Sequence, residues 1–108
     1  MTVATTMVDG TVTVEMSGKM DMGQSHAVRA ALLSAVRRST KIVVDLSDVT
    51  MMDAAIIANL VEALGLVQDN GGTFTLRGVN TQVRRILEIF KLDIVFGLKD
   101  QEQHRESE

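Results

Sequence analysis

The segment from residue 41 to residue 71 begins Lys41-Ile-Val-Val-Asp-Leu46, continues Ser47-Asp-Val-Thr50 and closes with Asn70-Gly71. The first six residues are mostly apolar and β-branched, which predicts a strand buried on both faces. The next four are typical of a turn. Asp53 is a good helix N-cap, and Asn70-Gly71 is a common helix end. The segment therefore predicts a strand, a turn and a helix that starts near the carboxyl end of a core strand.

The predicted helix has apolar residues at steps of three and four, which places them on one buried face. They are Ile57, Leu60, Val61, Leu64 and Val67, while Asn59, Glu62 and Asp69 fall outside that face. A helix N-terminus offers free backbone N–H groups and the positive end of the helix dipole. In α/β domains, functional residues commonly lie at such a corner between strand and helix.

Composition limits the classes of function. The chain has 108 residues, a net charge of −3, no cysteine, no tryptophan and no tyrosine. These values predict one domain over residues 1–97, followed by a polar tail, 98–108, that is a frayed helix or disordered. They argue against a nucleic-acid surface, direct membrane insertion, disulfides and cysteine zinc sites. We expect a cytoplasmic protein.

The N-terminal part predicts a hairpin and a helix. Val3–Val8 and the alternating Thr11–Met16 form strands on either side of Asp9-Gly10, a strong hairpin signal. The chain is expected to leave the sheet at Ser17–Asp21. Asp21 and Gln24 then form a capping box for a helix that runs to about Arg38.

The C-terminal part adds a strand at Thr73–Arg77, a helix capped by Asn80 and a short last strand at Ile94–Gly97. The apolar stripe of this helix is Val83, Ile86, Leu87 and Phe90. Helices between successive strands imply parallel neighbours, and the hairpin adds an antiparallel edge. The predicted fold class is α/β, with a mixed sheet of four to five strands and three to four amphipathic helices.

Catalytic motifs are absent from the sequence, and we predict that the protein is not an enzyme. There is no phosphate-binding glycine loop and no Gly-x-Ser-x-Gly motif, and His26 and His104 have no metal-ligand spacing. Asp45, Asp48 and Asp53 cluster around the end of the central strand, where they could bind Mg²⁺ or a nucleotide. The simpler interpretation is that they bond to the backbone, serve a turn and cap a helix.

Four segments together resemble the STAS domain, the family of anti-sigma factor antagonists and of domains in sulfate transporters. They are Gly18-Lys-Met-Asp21, Val43-Val-Asp-Leu-Ser-Asp-Val-Thr-Met-Met-Asp53, Gly72-Thr-Phe-Thr-Leu-Arg-Gly-Val79 and Val83-Arg-Arg-Ile-Leu-Glu-Ile89. The resemblance covers nearly all of residues 8–97, in order. It implies a partner protein: an anti-sigma factor, or a serine kinase with a histidine-kinase-type ATP fold.

The resemblance also implies a phosphorylation switch, from which this sequence departs. In the family that it resembles, the residue after the core aspartate is usually Ser or Thr. The partner kinase phosphorylates this residue, and the phosphorylated domain then dissociates from the kinase. Here Asp53 is followed by Ala54-Ala55-Ile56, so the usual phosphoacceptor position, Ala54, has no hydroxyl. We expect a module that always remains competent to bind. The expected partner-binding residues are Asp21, Ser25, Thr50, Met52, Asp53, Ala54, Ala55 and Ile57.

Other interpretations also fit the sequence. Thr50, Ser47 or Ser25 could be phosphorylated in place of position 54. The chain could also be a scaffold subunit of a larger stress-sensing assembly or of a membrane transporter, or it could form a homodimer. None of these alternatives implies a cofactor or a metal.

Overall fold

The computed structural model describes residues 3–97. Its elements are β1 (Val3–Val8), β2 (Thr11–Met20), α1 (Met22–Arg38), β3 (Lys41–Met52), α2 (Ala54–Asp69), β4 (Thr73–Arg77) and α3 (Thr81–Ile89). The sheet order is β1-β2-β3-β4, with β1 antiparallel to β2 and the other neighbours parallel. The predicted mixed α/β fold is confirmed, with four strands and three helices in the described part.

The hairpin between β1 and β2 follows from its two loop residues. Asp9 and Gly10 have φ values of 52° and 82°. Positive φ at both loop positions is the geometry of a two-residue turn that matches the twist of the flanking strands. Val8 therefore lies directly opposite Thr11, and the remaining pairs of the hairpin follow in step.

One face of the sheet carries the core, and the other is open. On β2, Val12, Val14 and Met16 are buried, whereas the residues between them are half-buried or exposed. The same alternation holds on β3, where Val43 and Asp45 are only half-buried. The prediction that this strand is buried on both faces is therefore wrong. The three helices and the inward side chains of the sheet share a single hydrophobic cluster.

Two strands extend further than their sequences predicted. The sequence predicts that Ser17–Asp21 leaves the sheet and that Ser47–Thr50 turns, but β2 continues to Met20 and β3 to Met52. The two strands stay paired through register shifts between Glu15 and Ser17 and between Gly18 and Lys19. Gly18 adopts a φ of 81°, which a bulge readily uses and which most other residues avoid.

The predicted last strand at Ile94–Gly97 is wrong. These residues form consecutive turns, in which the Phe96 N–H donates to the Leu92 carbonyl at 3.0 Å and the Gly97 N–H to the Ile94 carbonyl at 3.0 Å. Phe96 packs against Phe74 with ring centroids 6.0 Å apart. The aromatic contact and the local turn bonds thus take the place of strand pairing. The predicted polar tail, 98–108, lies outside the described residues.

Two positions assigned to apolar stripes face solvent instead. Val61 on α2 is 39% exposed and Phe90, after α3, is 49% exposed. Conversely, Asn59, which falls outside the predicted stripe, is buried. Within residues 3–97, none of the helices combines the length and the apolar composition that crossing a lipid bilayer requires.

Candidate functional site

The corner between β3 and α2 is built around Asp53. Its carboxylate Oδ1 accepts hydrogen bonds from the N–H groups of Ala55 at 3.1 Å and Ile56 at 3.3 Å, which satisfies two free donors at the helix start. Its own N–H donates to the Met20 carbonyl at 3.1 Å. Asp53 therefore caps α2, as predicted, and fixes the helix to the end of the neighbouring strand.

A second capped helix begins beside the first. Asp21 Oδ1 accepts from the Gly23 N–H at 2.8 Å, and the Asp21 N–H donates to Gln24 Oε1 at 3.0 Å, which confirms the predicted capping box. Met20 and Met52 are the last ladder pair of β2 and β3. Asp21 and Asp53 directly follow that pair, so two helix N-termini with two carboxylates lie side by side at the carboxyl ends of β2 and β3.

The expected partner-binding residues separate into exposed and buried groups. Thr50 and Ala54 are exposed, and Asp21, Ser25, Asp53 and Ala55 are partly exposed. Met52 and Ile57 are only 2% and 4% exposed, because the first points inward from β3 and the second faces the core beside Ile56. These two side chains are not available for direct contact with another protein. They support the corner from beneath.

A buried amide, which the sequence pattern did not indicate, joins the two helices of the corner. Asn59 Nδ2 donates to the Ser25 carbonyl at 2.9 Å and to Ser25 Oγ at 3.2 Å. On the surface, Arg29 and Glu62 form a bidentate ion pair, in which Nε donates to Oε1 at 3.0 Å and Nη2 to Oε2 at 3.1 Å. Asn59 is the one polar residue among the buried positions of α2. Its spacing of three from Ile56 and of four from Ala63 is the sequence signal that could have revealed it.

An apolar groove with a cavity volume of about 340 Å³ lies next to the corner. It runs between the end of β3 and α3 and is lined by Thr50, Met51, Gln82, Arg85, Ile86 and Ile89. Ile89 is 71% exposed and Met51 is 36% exposed. The sequence does not predict Gln82, Arg85, Ile86 or Ile89 at the site. An isoleucine pair at a spacing of three, Ile86 and Ile89, in a short helix is the signal that could have indicated them.

Asn80 sets the position of α3 along this groove. Its Oδ1 accepts from the Val83 N–H at 2.9 Å, which caps the helix. Its Nδ2 donates to the Val49 carbonyl at 2.6 Å. The side chain thus joins the start of α3 to β3 one residue before Thr50.

The three aspartates proposed for Mg²⁺ or a nucleotide have separate surroundings. Asp45 Oδ1 accepts from the Ser47 N–H at 2.9 Å and Oγ at 2.6 Å, and Oδ2 accepts from Arg77 at 2.9 Å. Asp53 caps α2, and Asp48 is exposed on β3. Throughout residues 3–97, no group of three histidine, cysteine or acidic side chains is placed to hold a metal ion. The geometry does not support a Mg²⁺ site on these three side chains.

The electrostatics of Asp45 follow from those bonds. The Ser47 hydroxyl and N–H, with a smaller contribution from Arg77, lower the pKa of the Asp45 carboxyl to about 2. Ser47, one of the alternative phosphorylation positions, is thus a donor to a carboxylate. Ser25, another, accepts a bond from buried Asn59. Thr50 is exposed and borders the groove.

Comparison with known proteins identifies the family. A family model described as "Mlab, STAS domain" matches residues 3–98. An anti-sigma factor antagonist from Mycobacterium paratuberculosis is 25% identical, with 88% of this chain and 81% of that chain covered and a TM-score of 0.79. The phosphorylated form of SpoIIAA, a Bacillus cell fate determinant, is 18% identical over 83% of this chain and 84% of that one, with a TM-score of 0.71.

A sulfate transporter family protein from Wolinella succinogenes is also similar, at 18% identity over 84% of this chain and 75% of that one, with a TM-score of 0.72. At 18% identity, the Bacillus and Wolinella structures demonstrate a shared fold alone. The family model, however, spans all the described residues from β1 to the turns after α3. This chain therefore belongs to the STAS domain family.

Proposed function

We propose that this protein is a non-catalytic interaction module that binds a regulatory protein through the corner of Thr50, Asp53, Ala54 and Ala55. The expected partner is an anti-sigma factor, or a serine kinase with a histidine-kinase-type ATP fold, in cytoplasmic partner-switching signalling. Family membership and the similarity to anti-sigma factor antagonists support this proposal. The apolar groove beside Thr50 extends the candidate surface onto α3.

The observation that carries the proposal is the exposure of Ala54 at the first position of α2. A hydroxyl here could be phosphorylated, as the resemblance implies for other members, and would gain about 1.5 to 2 negative charges. That charge would stand beside the Asp53 and Asp21 carboxylates. Alanine has no group to modify, so position 54 keeps one chemical state. We infer that binding is constitutive at this position or is regulated elsewhere.

The test is to titrate candidate anti-sigma kinases with the native chain and with Ala54→Glu. A carboxylate at this position suits the helix dipole, so the fold should be retained. Burying it unpaired in an interface should weaken binding at least tenfold, or about 1.4 kcal/mol. Ala30→Glu, the same change at an exposed position on α1, is the matched control and should bind normally. Equal affinity for both variants would remove the corner from the interface.

A gain-of-function variant tests the switch separately. Ala54→Ser restores a hydroxyl at the helix start, and a kinase that binds the native chain should phosphorylate the variant. Mass spectrometry should then show one added phosphate, accompanied by loss of the complex. A kinase that binds Ala54→Ser tightly yet leaves it unmodified would contradict the assignment of position 54.

A second candidate function is that of a constitutive subunit in a stress-sensing assembly or a membrane transporter. The absent hydroxyl favours it equally, because a permanent subunit needs no phosphorylation-driven release. Mass measurement and affinity purification discriminate between the candidates. A stable large particle, or co-purification with a membrane ATPase, would support the second, whereas a complex with a soluble kinase would support the first.

A further inference from the structure

The outer edge of β1 is unusual in its composition. The strand Val3–Val8 contains no charged residue and no proline, and it lies at one end of the sheet order. Edge strands usually carry lysine, proline or a covering element that prevents pairing with other chains. Here an exposed arginine, Arg38, reaches over the strand, with Nη2 3.8 Å from the Met7 sulfur. This contact is made with the Met7 side chain and not with the backbone of the strand.

The hairpin geometry determines which backbone groups face outward. In a two-residue hairpin the residues that flank the loop, here Val8 and Thr11, form a hydrogen-bonded pair. Because bonded and non-bonded pairs alternate, Ala4 and Thr6 also bond to β2. The N–H and C=O groups of Val3, Thr5 and Met7 therefore point away from the sheet. Within residues 3–97, β2 is the strand that pairs with β1.

These outward groups are complementary to themselves. We propose that β1 pairs antiparallel with β1 of a second copy of this chain, with Thr5 opposite Thr5 on the two-fold axis. In this register Val3 lies opposite Met7 of the second copy, and Met7 opposite Val3. All three outward residues then meet outward residues, so every pair can exchange two hydrogen bonds. A shift by one residue would place outward groups opposite groups already bonded to β2.

The side chains favour the same register. Val3 is partly buried and packs against the hydrophobic core, while Met7 on the same face is 45% exposed. Pairing Val3 with Met7 of the second copy covers both methionines with apolar surface. The central Thr5 pair places two β-branched side chains opposite each other, which suits a strand. The strand that best complements this edge is therefore β1 of a second copy of the chain.

The expected dimer is weak and leaves the candidate partner site open. A six-residue strand is only about 20 Å long, so the buried area falls below the roughly 1,200 Å² of a standard stable interface. β1 pairs with β2 as far as Met16, whereas the corner follows Met20 and Met52. A dimer joined at β1 would present two corners at once. This inference does not depend on the proposed function.

Analytical ultracentrifugation of the native chain tests association between about 10 μM and about 1 mM, the range of weak complexes. Thr5→Pro removes the central outward N–H, which an edge strand tolerates, and should weaken association at least tenfold. Thr5→Val keeps that N–H and serves as the matched control. A native chain that is monomeric at about 1 mM, or a Thr5→Pro variant that associates as the native chain does, would overturn the proposal.

Cysteine variants test the register, because the chain has no native cysteine. Opposite residues in a bonded pair have Cα atoms about 5.5 Å apart, which a disulfide can span. Thr5→Cys should therefore form a disulfide dimer on mild oxidation. In the same register, two cysteines at position 6 would be about 8 Å apart, too far for a direct bond. Faster cross-linking of Thr6→Cys than of Thr5→Cys would contradict this pairing, even if Thr5→Pro did not fold.

Discussion

The Asp45 carboxylate is held by donors from two different strands. Ser47, two residues along β3, supplies its hydroxyl and its N–H, and Arg77 reaches across from the end of β4. These donors stabilise the ionised form, which is why the pKa falls to about 2. The residue therefore contributes to the junction of β3 with β4 rather than to a metal site.

Asp45→Asn removes the carboxylate that these donors stabilise, so it should lower the free energy of unfolding at pH 7. The expected loss is about 1 to 2 kcal/mol, because the side chain is 18% exposed and solvent screens part of the interaction. The folded pKa lies below the ordinary value near 4, so the stabilisation is complete above about pH 5. It disappears as the pH falls towards 2. Urea unfolding of both proteins at several pH values measures the difference. Asp48→Asn, an exposed control on the same strand, should change stability little.

Gly78, between β4 and α3, has a φ of 72°. A Cβ atom there would lie 2.9 Å from both Cα and Cβ of Ser47. Gly78→Ala should therefore destabilise the fold by about 1 to 3 kcal/mol, through a strained backbone and a displaced β3. Gly65, inside α2, has open space around the same position. Gly65→Ala should stabilise the fold by about 0.5 to 1 kcal/mol. Thermal unfolding of the two variants measures both changes, and a shift of the melting temperature in the same direction for both would contradict this reasoning.

At the level of elements, features set by a few adjacent residues could be predicted from the sequence. The Asp9-Gly10 hairpin, the Asp21 capping box and the Asp53 and Asn80 caps all match the structure. Each depends on the conformation and hydrogen bonds of one short segment. The hairpin turn and the starts of the three helices therefore followed from local chemistry.

Features set by pairing between distant segments could not be predicted in this way. The extended pairing of β2 with β3 passes through two register shifts. Ile94–Gly97 forms turns in place of the predicted strand, and Phe96 contacts Phe74. Of the site, the position of Ala54 was evident from the sequence. The groove and the Asn59 bond were not, since both arise where separate elements meet.

Asn80 connects two elements and therefore offers a test at this scale. Asn80→Ala removes the cap of α3 and leaves the Val49 carbonyl without its amide donor. We expect a loss of about 1.5 to 3 kcal/mol, from a cap worth about 1 kcal/mol and an unsatisfied acceptor. Asn80→Ser should recover the cap but not the bond to β3, so its stability should be intermediate. An Asn80→Ser variant as stable as the native protein would show that the bond to β3 contributes nothing measurable, and equal stability of the two variants would show the same for the cap.

Over the whole molecule, stability should decrease from the centre of the sheet towards α3. β3 pairs with a strand on each side, and its inward residues lie in the shared core. The nine residues of α3 contribute two fully buried side chains, Val83 and Leu87. An element with so few buried contacts can open locally without unfolding the rest. The groove therefore lies between a rigid strand and a helix that can adjust to a partner.

Amide hydrogen exchange should reveal this gradient. The amides of β3 should exchange only with global unfolding, and those of Thr81–Ile89 should exchange faster through local opening. If the corner and groove together form the binding surface, adding a partner should slow exchange in α3 and at the start of α2. Exchange in β1, on the far edge of the sheet, should remain unchanged at protein concentrations too low for self-association. Equal protection of α3 and β3 in the free protein would contradict the gradient. If a partner slowed exchange in β1 alone, the partner site would instead lie at the β1 edge of the sheet.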